Sequence, residues 1–253
     1  MGKIIAITNQ KGGVGKTTTC VNLAASMASI GKKVLVVDLD PQGNAAMACS
    51  IDKNDVEYSS YDLLLEEKPA EDVIQSPPKI GFDVIPGNAD LTAAEIGLMK
   101  TERREKRLAE AIKSVRDRYD FILIDCPPSL NMLTVNALVA ADTVLIPMQC
   151  EYYALEGLSA LMETLKNVQN TINSKLKVEG ILRTMYDSRS RLTTDVSDQL
   201  KEHFGNKVYK AYIPRNVTLA EAPSHGVPVI LHDRYSRGAM AYLALAEEMT
   251  RKE

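Results

Sequence analysis

The sequence predicts an α/β fold: a mostly parallel, twisted sheet with helices on both faces. Three observations carry that prediction. Short apolar runs of strand length alternate with amphipathic stretches of helical length along most of the chain, the pattern of a parallel sheet covered on both sides. Hydrophobic residues make up 45% and charged residues 25%, with 5% aromatic and no Trp, the balance of a soluble α/β protein rich in Val, Ile, Leu and Ala. Finally, 253 residues can bury one large core and nothing reads as a linker, so a single domain over 1–253 is expected, with no N-terminal DNA-binding extension.

The elements follow in chain order. Ile4-Ile5-Ala6-Ile7 gives a first strand, Ile4–Thr8, and after a glycine-rich segment comes a helix, Lys16–Ile30. Gly31 is its stop signal, with Lys32 and Lys33 behind it. Further strands are expected at Lys33–Asp38, Phe82–Pro86, Phe121–Asp125, Thr143–Pro147, Lys177–Leu182 and Val208–Ile213. Helices are expected at Asn88–Met99, Glu102–Arg118, Asn131–Ala140, Leu155–Gln169, Leu192–Phe204 and Arg237–Met249. The stretch Glu102–Arg118 is heavily charged, but Leu108, Ile112 and Val115 mark an apolar face and pairs such as Glu102 and Lys106 a solvated one.

Between the first strand and first helix lies Asn9-Gln10-Lys11-Gly12-Gly13-Val14-Gly15-Lys16-Thr17-Thr18, where a phosphate-binding loop has to be. Glycines at 12, 13 and 15 let successive N–H groups curl toward phosphate oxygens, and the helix that follows adds the positive end of its dipole. Lys16 neutralises β and γ phosphates in such a loop, and Thr17 offers its hydroxyl to magnesium. The loop departs from the ordinary pattern: Gln10 replaces a glycine and Lys11 adds a second lysine at the loop's start. Gly13 and Gly15 could open a dinucleotide-binding turn, but its third glycine is Thr18, and a Lys-Thr pair belongs to triphosphate and magnesium chemistry.

Composition excludes several classes. The four cysteines, Cys20, Cys49, Cys126 and Cys150, show no metal spacing and read as reduced, mostly buried thiols of a cytosolic protein. Met1-Gly2-Lys3 leads straight into the first strand with no secretory leader, and no segment approaches a membrane span. A net charge of −3 argues against a generally sticky nucleic-acid binder, yet charge is uneven: residues 52–79 carry eight acids and three bases, residues 183–237 nine bases and six acids. The C-terminal third therefore offers a local positive face to an anionic partner.

The signature Lys-Gly-Gly-x-Gly-Lys-Thr-Thr resembles the deviant Walker A loop of the ParA/MinD group of ATPases, and within it the short chromosome-partitioning ParA proteins of the Soj type. The likeness runs from Lys3 to about Glu248 and includes the tail motif Asp233-Arg234-Tyr235-Ser236-Arg237-Gly238. It implies a P-loop NTPase that binds ATP and Mg2+ and turns ATP over slowly to ADP and phosphate. Nucleotide contacts would come from Lys11, Gly12, Gly13, Val14, Gly15, Lys16, Thr17 and Thr18. Lys11 is implied to reach the nucleotide of a partner copy, joining Lys16 and Asp40 as the catalytic group. Two carboxylates at the end of strand two, in Asp38-Leu39-Asp40-Pro41-Gln42-Gly43-Asn44, lie where ligands sit in an open sheet. The resemblance makes this stretch switch I, with Asp40 positioning the attacking water and Asp38 in the metal's water shell. Phe121-Ile122-Leu123-Ile124-Asp125 looks like Walker B, so Asp125 is an outer-sphere metal ligand and Cys126-Pro127-Pro128 opens switch II. Pro214 and Asn216, in Ile213-Pro214-Arg215-Asn216-Val217, are implied to contact adenine.

The same resemblance implies a homodimer with ATP at its interface, nonspecific binding of double-stranded DNA, and release when a ParB-type protein stimulates hydrolysis. The protein would be cytoplasmic and nucleoid-associated. Arg189, Arg191, Arg215 and Arg237 are the expected phosphate contacts. Thr218 stands where close relatives commonly carry an arginine after the Asn-Val pair. A MinD-like membrane cycle needs a basic amphipathic C-terminal helix, whereas the chain closes on Ala246-Glu247-Glu248-Met249-Thr250-Arg251-Lys252-Glu253, acidic and short. A nitrogenase-type reductase needs paired cysteines for a cluster, and Cys126 and Cys150 leave different strand exits.

Overall fold

Every residue of the segments Val34–Asp38 and Phe121–Asp125 is buried, so both faces of these strands must be covered by other parts of the chain. The computed structural model, which describes residues 1–251, shows how. Seven parallel strands form one sheet in the order β3-β2-β4-β1-β5-β6-β7: β1 is Lys3–Ile7, β2 Val34–Asp38, β3 Asp83–Ile85, β4 Phe121–Asp125, β5 Thr143–Gln149, β6 Lys177–Tyr186 and β7 Val208–Pro214. The helices are α1 Lys16–Ser29, α2 Asn44–Met47, α3 Ser60–Leu65, α4 Ala70–Val73, α5 Leu91–Leu98, α6 Arg107–Ala111, α7 Met132–Ala140, α8 Ala154–Thr171, α9 Arg191–Phe204, α10 Val217–Glu221, α11 Val229–His232 and α12 Arg237–Arg251.

Alternation along the strands divides the core in two. Ile4, Ala6, Leu35, Val37, Ile122 and Ile124 face one way, onto Leu91, Leu133 and Leu161 of α5, α7 and α8. Ile5, Ile7, Val34, Val36, Phe121 and Leu123 face the other, onto Leu23 and Met27 of α1 and Tyr242 and Leu245 of α12. Lys252 and Glu253, part of the acidic tail read from the sequence, lie outside the described residues.

The strand order places the site. Because β1 lies between β4 and β5, connections leave it in opposite directions, and the crevice outside its carboxyl end is the switch point where ligands bind in open sheets. Register does the rest: Asp125 pairs with Ile7 across β4–β1 and with Asp38 across β4–β2, so two carboxylates arrive side by side behind the loop that follows β1.

All seven expected strands are present, β5 and β6 running on to Gln149 and Tyr186. The helix expected over Glu102–Arg118 is not continuous. Arg103 takes a left-handed conformation with φ of +52°, a 3-10 turn covers Arg104–Lys106, α6 is one short helix, and a second 3-10 turn covers Arg116–Arg118. The cause is Asn136 of α7, whose amide donates to the Arg104 carbonyl at 2.8 Å and accepts from the Leu108 N–H at 3.1 Å, replacing helical partners. Leu108, Ile112 and Val115 are nonetheless fully buried, as their spacing requires.

Candidate active site

The loop after β1 is held in a cradle. Gly13 and Gly15 have φ of +72° and +86°, a region that penalises any side chain, and Gly15 is the N-cap of α1. No side chain caps that end, so the first N–H groups of α1 are left for an anion. The loop is braced by two strands on one side of β1. Thr184 of β6 donates its hydroxyl to the Val14 carbonyl at 2.7 Å. Asn9 donates to the Pro147 carbonyl of β5 at 2.9 Å and accepts from the Lys11 N–H at 3.0 Å.

The two lysines of the loop are treated differently. Lys16 is only 7% exposed and its ammonium turns back to the Lys11 carbonyl at 3.4 Å. Burial lowers its pKa, while Asp125, Cys126 and Asp40 pull the other way. Lys11 stands at the mouth, its side chain 46% exposed and ion-paired with Glu151 just past β5.

Three carboxylates line the floor. Asp125 is fully buried and both of its oxygens lack a hydrogen-bond partner. Burial first, and Asp38 second, push its pKa well up; the Thr17 hydroxyl is near enough to favour the ionised form without reaching hydrogen-bond geometry. Asp38, also fully buried, is pushed up to about 7, chiefly by burial. Asp38, expected in a metal's water shell, has oxygens that accept from the backbone N–H groups of Asp40 at 3.0 Å, Ala45 at 3.1 Å and Ala46 at 3.2 Å. These bonds fix the turn after β2 and the start of α2. Asp40, 9% exposed, accepts from the Gln42 N–H at 2.9 Å.

This arrangement fits a hydrated divalent cation. A buried carboxylate with two orphan oxygens is costly unless a cation or its waters satisfy it, and Asp125 with Thr17 beside it is such a place.

A cavity of about 420 Å³ opens beside the loop, lined by Gly15, Thr18, Thr184, Pro214, Asn216 and Tyr242 among others. Pro214 and Asn216 therefore share a wall with the phosphate loop. The Asn216 amide oxygen caps α10 through the Leu219 N–H at 3.1 Å, leaving its NH2 end for the cavity. Arg215, expected to face DNA, borders the same cavity. Arg189 and Arg191 are exposed at the start of α9, and Arg237 at the start of α12. Arg189 makes a two-pronged pair with Asp187, whose pKa it holds down at about 2.

Sequence reasoning missed Glu151, Thr184, Met185 and Tyr242. Glu151 had a usable signal, since it stands at the carboxyl exit of a strand. Thr184 and Met185 fell beyond the expected end of β6, and Tyr242 reaches the cavity only because α12 packs on α1.

A parallel sheet with a glycine-rich phosphate loop at its switch point and buried carboxylates on the next two strand ends defines a P-loop NTPase. The family described as an AAA domain matches residues 2–178. The sporulation initiation inhibitor protein Soj of Bacillus subtilis is 56% identical, over 98% of this chain and 98% of that protein. The chromosome partitioning protein ParA of Caulobacter vibrioides is 48% identical, over 99% and 95%. A solved cobyrinic acid a,c-diamide synthase from Mycobacterium smegmatis with bound ADP and magnesium superposes with a TM-score of 0.87 at 34% identity, covering 99% of this chain and 95% of that one. The chain belongs to the ParA/MinD family of ATPases, close to Soj.

Proposed function

We infer that this chain is a partition ATPase that dimerises around ATP, binds DNA without reading sequence in that state, and leaves it when a ParB-type partner stimulates hydrolysis. The observation that carries this reading is the division between the two loop lysines. Lys16 is buried toward its own carboxylates, whereas Lys11 presents its charge at the mouth beside Glu151. A cation facing outward from a phosphate loop suits a nucleotide brought by a second copy. The names of the relatives, Soj and chromosome partitioning ParA, support a role in segregation.

The chemistry asked of the chain is modest. Lys16 and the α1 N–H groups hold the β and γ phosphates, and Asp40 orients the attacking water. Thr17 and Asp125 would hold magnesium, which supplies charge neutralisation on the transferring phosphoryl group. With Lys11 completing the site only from a neighbour, turnover is slow until two copies meet, the behaviour of a timer.

Arg189, Arg191 and Arg215 cluster at the carboxyl ends of β6 and β7, with Arg237 at the start of α12. An exposed guanidinium already paired with a carboxylate, as Arg189 is, can exchange it for a phosphate at little cost. A membrane cycle is less favoured: α12 buries Tyr242, Leu245, Ala246 and Met249, so its apolar face is occupied within the fold. Among the described residues no helix is long and apolar enough to cross a membrane.

Light scattering with ADP and with ATP, on wild type and Asp40→Ala, tests the reading. ATP should double the mass, and Asp40→Ala should stay doubled because hydrolysis no longer ends the state. A mass that ignores the nucleotide in both proteins overturns it.

A further inference from the structure

Switch I is held from outside by a side chain that no motif marks. The turn Asp40-Pro41-Gln42-Gly43 is closed by the Gly43 N–H on the Asp40 carbonyl at 2.8 Å, and the Gln42 N–H orients the Asp40 carboxylate at 2.9 Å. The Gln42 carbonyl, which shares its peptide unit with the Gly43 N–H that closes the turn, accepts from the ammonium of Lys53. The stem of Lys53 also lies over Gly43. A Cβ placed on Gly43 would stand 2.8 Å from Lys53 Cδ and 2.5 Å from the Gly87 carbonyl oxygen, so the backbone there is gripped from two sides.

The chain is routed to bring Lys53 to this place. The Asp38 carboxylate fixes the start of α2 through Ala45 and Ala46. Past the end of α2, Ser50 takes a left-handed φ of +60°, uncommon outside glycine, and its hydroxyl is tied to the Gly226 carbonyl at 2.7 Å. That reversal returns the chain: the Ile51 N–H bonds the Ala46 carbonyl at 3.1 Å and the Ile51 side chain is buried. A turn follows in which Asp52 accepts from the Asn54 N–H at 3.0 Å, and Lys53 is directed back over Gln42 and Gly43. Lys53 is half-buried along its stem while its hydrogen bond is exposed, so the grip comes from the ammonium's charge together with the stem packed over Gly43.

The geometry points to Lys53 as a positioning residue for hydrolysis: it clamps the Gln42 carbonyl, fixing the Gln42–Gly43 peptide whose N–H closes the turn on the Asp40 carbonyl, and thereby holds the turn from which Asp40 is aimed at the attacking water. This rests on the assignment of Asp40 to the water. Lys53 itself touches no phosphate in this role, so its loss should leave nucleotide affinity alone and slow the chemical step.

The experiment compares wild type, Lys53→Met, Lys53→Arg and Lys53→Gln in single-turnover ATP hydrolysis, ATP titration and hydrogen exchange of the peptide spanning Gln42–Asn44. Removing one charge-assisted hydrogen bond of this kind should lower the hydrolysis rate about tenfold in Lys53→Met, with affinity for ATP within about twofold. Lys53→Arg should restore most of the rate. Exchange at Gln42–Asn44 should quicken in Lys53→Met and not in Lys53→Arg. Lys53→Gln, which retains a donor, keeps the comparison available if the methionine variant does not fold. A merely structural lysine would lower rate, affinity and melting temperature together, and that outcome, or an unchanged rate and exchange in Lys53→Met, overturns the clamp. Wild type that hydrolyses no ATP would instead sink the ATPase assignment, while the exchange arm would still report on the clamp.

Discussion

Raising the pH of the nucleotide-free protein from about 5 to about 8 should destabilise it. The perturbation acts through Asp38, fully buried and pushed from an ordinary 3.8 to about 7, mainly by burial. The folded chain holds this proton where the unfolded chain has released it. The contribution is therefore fully present below the unfolded value near 3.8 and lost as pH rises through the folded value near 7. A shift of that size corresponds to about 4 kcal/mol over the whole window, of which roughly 2–3 kcal/mol falls between pH 5 and 8. For a chain of this length that is about 5–10 °C in Tm. Asp125, raised by burial and by Asp38, adds in the same direction. Lys16 opposes it between its lowered pKa and the ordinary 10.5. The exposed Asp187, held at about 2, acts below the window. Calorimetry across the range, on wild type and Asp38→Asn, reads the slope. The variant should be flatter, and saturating magnesium nucleotide should flatten wild type, since a cation favours the ionised carboxylates. Equal slopes in the two proteins, or a Tm that climbs with pH in wild type, would refute the argument.

Two further outcomes are expected. Arg189→Ala should weaken binding to nonspecific duplex several-fold and reduce the dependence of log affinity on log salt by about one contact, with ATP affinity unchanged, as fluorescence anisotropy over a salt series would read. Gly238→Ala puts a Cβ 2.4 Å from Leu219 Cγ and 2.8 Å from the Asn216 Oδ1 that caps α10, so that wall of the cavity, proposed to hold the base, must shift. Overpacking of this kind costs about 1–3 kcal/mol, and both a lower Tm and a weaker ATP titration should follow; an unaltered titration would mean that Asn216 does not shape the base site.

The middle of the sheet was legible because β1, β2, β4 and β5 are apolar runs long enough to stand out, down to the Asp38 and Asp125 that end β2 and β4. Helices α2, α4, α10 and α11 were not, since four or five residues carry no period and are held by tertiary contacts rather than propensity. The break in Glu102–Arg118 was equally hidden: its charge pairing favours a helix, and the competing partner, Asn136, lies on another element. In the site, the loop and its carboxylates were readable because each is contiguous in sequence and sits at a strand end. Thr184, Tyr242 and Lys53 reach it through strand order, helix packing or a left-handed turn at Ser50, none of which leaves a local pattern, whereas Glu151 stands at a strand's carboxyl exit and could have been read.

The same burial that makes the apo pocket costly gives the nucleotide something to relieve. Burial and their mutual repulsion favour the protonated forms of Asp38 and Asp125 in the empty pocket, so ionising the floor takes more positive charge than Lys16 supplies, and Asp125 keeps two oxygens with no donor. A triphosphate alone would make that ionisation harder still. A triphosphate with its divalent cation reverses it, because the cation answers the carboxylates while Lys16 and the start of α1 answer the phosphates. Binding of the two should therefore be strongly cooperative, with the stabilisation by ATP plus magnesium exceeding the sum of each alone. Once hydrolysis removes the γ-phosphate, part of the charge that drew the cation in is lost, and the floor returns toward its unsatisfied state. Reset is then a consequence of the same unpaired carboxylate that made the site receptive.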